Sequence, residues 1–142
     1  MICRNFAFAL CFGSLGIAVG NAQTISTPAT GSAERKAIMD VLRVPCEKDL
    51  GRKVIFRVQH LKVTGDWAFA RVEPLQPDGK EIDYSRTKYQ EQLEEGAFDA
   101  EGEALLRREG GNWKLLEWRF GATDTESDFW LEKYRMPRAL IH

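Results

Sequence analysis

Cysteine is scarce in this sequence: Cys3, Cys11 and Cys46 are the only three in 142 residues. Two of them fall within residues 1–22, which read as a removable leader, so no disulfide can form in what remains. The core must hold the fold by itself. Histidine is nearly absent too: His60 is the only one inside the chain and His142 is its last residue, so no imidazole cluster can hold a metal. The sequence has no paired-cysteine metal spacing, no G-x-S-x-G, no phosphate-binding glycine loop and no H-E-x-x-H, so neither a metal nor a cofactor is expected. It also lacks an Asn-x-Ser/Thr sequon, which fits a bacterial periplasm or exterior. Neither sign of charge dominates. Lys and Arg total 20 against 21 Asp and Glu, without blocks, which argues against a nucleic-acid or anionic-membrane partner. The lone basic pair Arg107-Arg108 reads as a solvated strand face.

What is present starts with an export signal. Arg4 gives a short positive region, and Phe6 to Val19 is an apolar run too short to span a bilayer, softened by Gly13 and Gly16. Small residues in "GNA" place a cut after Ala22, while Phe8 and Leu10 disfavour lipid attachment at Cys11. A periplasmic or secreted protein follows, free of the membrane after cleavage. Residues 23–31 are rich in Thr, Ser, Pro and Gly and read as a disordered leader. Residues 32–142 read as a single α+β domain, with Cys46 as a small buried filler rather than a nucleophile.

Ser32 is a good N-cap for a helix whose Ile38, Val41 and Leu42 form one apolar stripe. Pro45 should open a further turn that Gly51 closes. A long strand follows from Lys53. Val54, Phe56 and Val58 share a parity that Leu61 and Val63 do not, so a bulge at Gln59-His60 is needed to bury both sets on one side. The Gly65-Asp66 turn pairs Val63 with Ala68 and Leu61 with Ala70, giving the small Ala68, Ala70 and Val72 to the helix and sending Trp67 and Phe69 to the opposite face. A Gly110-Gly111 turn pairs Leu106 with Leu115, Leu105 with Leu116 and Arg108 with Trp113. Trp118 and Phe120 then join Leu105 and Leu116 on one face, and Arg119 lies with Trp113 as a cation over its ring. Between the hairpins lie a Pro77-Asp78-Gly79 turn and a short helix capped by Ser85, with Tyr89 and Leu93 inward and Gly96 as its stop. A box of Thr125 and Asp128 should cap a terminal helix, with Leu140-Ile141 folding back as a clasp.

The predicted architecture is a curved antiparallel sheet of about four strands in two hairpins, packed on an N-terminal helix, with a short C-terminal helix. Few residues carry chemistry. Asp83-Tyr84 is the minimum kit for proton abstraction beside a carbonyl, with His60 as a possible third member if the bulge turns it into a concavity. His60 otherwise stands opposite Arg71 as a bulge residue. Trp67, Phe69, Arg71 and Trp118 are the binding candidates, weighed against a plain core role for the aromatics. A free Trp67 and Phe69 face would suit a homodimer or protein partner; a covered one makes them core.

The order of helix, long bent strand, hairpin, insertion, hairpin and terminal helix resembles the cystatin/NTF2-like class. The phrases "ERKAIMDVLR", "GDWAFARVEPLQPDG", "ALLRREGGNWKLLEW" and "GATDTESDFWLEKYRMPRALI" also resemble exported bacterial single-domain proteins, a likeness that implies export and no activity. The first resemblance implies isomerases or dehydratases with an Asp, His or Tyr in the sheet's cavity, simple ligand binders, or protease inhibitors. Cystatins use Q-x-V-x-G and a Pro-Trp hairpin. Leu61 to Gly65 lacks the glutamine and Asn112-Trp113 lacks the proline, which argues against papain-type inhibition. The expectation is a non-catalytic exported domain binding a small-molecule or protein ligand; the alternative is an isomerase or dehydratase using Asp83, Tyr84 and His60.

Overall fold

A computed structural model describes residues 23–142; the export signal expected over residues 1–22 lies outside the described residues. The elements run α1 (Ala33–Leu50), β1 (Ile55–Thr64), β2 (Trp67–Leu75), α2 (Gln90–Glu94), β3 (Asp99–Glu109), β4 (Asn112–Gly121) and α3 (Ser127–Tyr134). The four strands form an open antiparallel sheet in chain order β1-β2-β3-β4. This is the α+β architecture the sequence implies.

Ser32 caps α1 by accepting the Arg35 N–H at 3.2 Å, and Glu34 lies in the first turn. The break expected at Pro45 does not occur: α1 runs unbroken to Gly51, which closes it in the left-handed conformation. Proline costs a helix one backbone bond. Leu42 and Cys46, both wholly buried on either side of it, hold the turn against the rest of the protein. Within residues 23–31, expected as a disordered leader, Ser26 forms an isolated bridge with Val63 of β1. Ser26 and Val63 exchange two backbone hydrogen bonds at 2.9 and 2.8 Å, and Arg35 donates to the Pro28 carbonyl.

In β1 the register slips between Val58 and His60, leaving Gln59 without a partner, as the parity argument requires. Val63 faces Ala68, and Leu61 faces Ala70, across a turn in which Gly65 takes positive φ. A second slip corrects the sequence reading of β4. Leu106 pairs with Leu115, but Leu105 pairs with Glu117, so Leu116 is the extra residue. This bulge lets Leu115 and Trp118 share one face while Leu116 turns to the other.

The sheet is therefore covered twice. On one side Ile38, Met39 and Leu42 of α1 pack on Leu61, Ala68, Ala70, Val72 and Leu106, with Trp113 and Trp118 at the β4 end. On the other, Phe69 and Leu105 lie under Trp130, Leu131, Met136, Leu140 and Ile141, so α3 and the terminal clasp cover the Trp67 and Phe69 face. The cap of α3 differs from expectation. The Thr125–Asp128 box is not the cap: α3 starts at Ser127 behind Glu126, which makes no side-chain cap bond. Their partners lie elsewhere: Glu126 pairs with Arg119 at 2.8 Å, and Asp128 contacts the His142 ring at 3.2 Å.

The insertion between β2 and β3 carries a third apolar cluster. Tyr84, Tyr89, Phe98 and Phe120 contact one another ring to ring, over Cys46 and Val54. Ser85 does not cap α2, which starts behind Tyr89 without a side-chain cap. Asp83 instead caps a single 3-10 turn over Tyr84–Arg86, its carboxylate accepting the Ser85 N–H at 3.0 Å and the Ser85 hydroxyl at 2.6 Å. Leu93, expected inward on α2, is 41% exposed.

Candidate functional site

The structure divides the three residues of the catalytic alternative. His60 lies on the α3 side, where its Nε2–H donates to the Leu140 carbonyl at 2.7 Å and its ring meets the edge of Phe69. Tyr84 lies on the α1 side, packed with Cys46 and Val54. Asp83 points to solvent, and its bonds to Ser85 hold its carboxyl below the ordinary carboxylate range. A carboxylate held low is a poor base, and burial pushes the Tyr84 hydroxyl up from its usual pKa. No proton relay joins these residues.

The four binding candidates are also occupied. Phe69 is wholly buried and cannot meet a partner. Trp67 is half-buried, with Tyr134 at its edge and the Arg107 guanidinium 4.9 Å above its ring. Arg71 donates to Glu103 at 2.8 Å, and Glu103 is itself buried. Trp118 lies flat over the backbone of Gly102, where a Cβ would come within 2.4 Å of its ring. Arg119 does not sit over Trp113, because the β4 bulge sends it to the α3 face; Arg108 takes that place at 4.4 Å and also pairs with Glu34. Arg108 is thus no solvated residue. With the Trp67 and Phe69 face covered, the condition for a homodimer through it is not met.

A site that the sequence reading did not assemble lies where the end of β2, the insertion and the start of β3 meet. It is a cleft of about 240 Å³. Its apolar wall consists of Pro74, Ile82, Tyr84, Phe98 and Ala100, with the exposed Leu93 beside it. Glu73, Glu81 and Asp99 supply its polar part. Tyr84 is 8% exposed, and its hydroxyl has no hydrogen-bond partner. Of the catalytic and binding candidates named from sequence, Tyr84 alone lines this cleft. The remaining signal was the interleaving of acids and aromatics from Glu81 to Asp99, which a helical reading of the insertion obscured.

A smaller hollow of about 40 Å³ on the α3 side lies between Glu101, Glu103, Arg119 and the loop 122–125. Among the described residues, no group of three or more His, Cys, Asp or Glu is placed to hold a metal ion. No helix among them is long and apolar enough to cross a membrane. Neither a protein-family model, nor a curated protein, nor a solved structure matches the chain. The likeness to the cystatin/NTF2-like class therefore rests on element order alone.

Proposed function

We propose that the protein is an exported, non-catalytic domain that binds a small molecule in the cleft between β2, the insertion and β3. One observation carries the reading: the cleft joins an apolar wall of Pro74, Ile82, Tyr84, Phe98 and Ala100 to the carboxylates of Glu73, Glu81 and Asp99. The mixture of aromatic and aliphatic wall with a few convergent polar groups is the usual chemistry of such sites. Separation of Asp83 and Tyr84 from His60 by the sheet supports binding over proton transfer. Export rests on residues 1–22, and a periplasmic or secreted location follows from it.

The test is a fragment screen read by amide NMR on the 15N-labelled protein. Hits should cluster on Ile82, Tyr84, Phe98 and Ala100. Hits that map elsewhere, or none at all, would remove the cleft as the binding site. Mass spectrometry of the protein recovered from cells should find Gln23 at its N-terminus; retention of Met1 would remove export.

A further inference from the structure

We infer that the cleft takes a small organic cation, an ammonium group carried on a short arm from a flat apolar body. The inference rests on the binding reading and adds the ligand's charge and shape. Three carboxylates, Glu73, Glu81 and Asp99, line the cleft, and no Lys, Arg or His does. Glu73 is already paired with Arg57 at 2.7 Å. Glu81 and Asp99 are exposed and enter no ion pair among the described residues, so their charge is free to act on an occupant. An anion would meet repulsion from Glu81 and Asp99.

The wall fixes the rest. Tyr84 and Phe98 stand with ring centres 4.7 Å apart, offering aromatic surface to a flat body and to a cation near it. Ile82 and Ala100 complete an apolar lining that cannot hydrate a charge, so the charged end must reach out to Glu81 and Asp99. A space of about 240 Å³ suits one ring and a short arm rather than a folded chain.

Three probes of one shape separate the possibilities: 2-phenylethylammonium, 2-phenylethanol and 3-phenylpropanoate, titrated into the 15N-labelled protein at low salt. The ammonium should move the amides of Ile82, Phe98 and Ala100 at several-fold lower concentration than the alcohol, and the carboxylate should leave them unmoved. Carboxylates on an open rim act through water, so a few-fold preference is the expected size, shrinking in added salt. In the variant carrying Glu81→Gln and Asp99→Asn, the ammonium should fall to the alcohol's affinity while the alcohol is unchanged. Equal or tighter binding of the alcohol or the carboxylate overturns the cation and leaves the cleft as a site. Failure of all three at millimolar concentration, with fragment hits still on the cleft, also overturns the cation; an empty fragment screen overturns the binding reading itself.

Discussion

At the scale of single residues, the ring of Trp118 takes the space that a side chain at Gly102 would need. A methyl there would sit 2.4 Å from the ring, far inside contact distance. Gly102→Ala should therefore cost ~1–3 kcal/mol in urea unfolding, and Trp118→Leu in the same chain should recover part of it. Additive losses would show that the ring moves aside freely. Tyr84 gives the opposite expectation. Its hydroxyl is buried without a partner, so Tyr84→Phe should leave stability unchanged or slightly raised in urea unfolding. Lower stability would mean that the hydroxyl is satisfied by ordered water and serves the fold. Ser32 and Gly65 were legible from sequence because a cap and a tight turn are local demands. Trp118 was not, because its face depends on one unpaired residue, Leu116, which no local rule announces.

At the scale of elements, the bulges decide which side chains meet. Deleting Gln59 would make the pairs Val58–Val72 and His60–Arg71 adjacent and leave Leu61 and Val63 on the α1 face, so the variant should still fold, with the kink in β1 removed. Gln59→Ala keeps the extra residue and should lie within about 0.5 kcal/mol of the parent by urea unfolding. A deletion variant that fails to fold would mean that the curvature made by the bulge is itself required. The α3 face tests its cover in the same way. Phe69 is wholly buried there, so Phe69→Ala should cost ~3–5 kcal/mol, whereas half-buried Trp67→Ala should cost clearly less. Equal losses, or a change in oligomeric size, would contradict α3 as the cover. The β1 bulge was legible because five apolar residues of split parity demanded it. The β4 bulge was missed because Leu115 and Leu116 are chemically equivalent, so either could face Leu105 without an apparent penalty.

At the scale of the molecule, one sheet between two apolar layers ties the layers into a single unit. Cys46 reports on it: it is wholly buried, and burial, with Asp49 and Glu47 nearby, pushes its thiol up to about 12. Its alkylation should proceed only as fast as the whole protein opens; rapid labelling of the native protein would reveal local opening of the third cluster. The pH dependence has a definite sign. The folded thiol keeps its proton above the ordinary 9.0, so its share of stability is full below 9.0 and is lost as pH climbs toward about 12. Cys46→Ala should flatten that alkaline decline in urea titrations. The layered fold was legible because each strand shows its apolar parity; the cleft was not, since its walls come from Pro74, Tyr84 and Ala100, far apart in the chain and joined only when the insertion folds back. The short bridge of Ser26 to Val63 has one more consequence. An open sheet ends in bare backbone that a neighbouring molecule can copy strand by strand, the start of fibrous aggregation. Along β1 such copying meets the laid-down segment at Ser26, the unpaired Gln59 and the charges of Arg57 and Lys62; along β4 it meets Lys114 and the kink at Leu116. Both rims of the sheet thus make poor templates, and the molecule can stay dispersed at concentrations that would drive a straight-edged sheet into fibres.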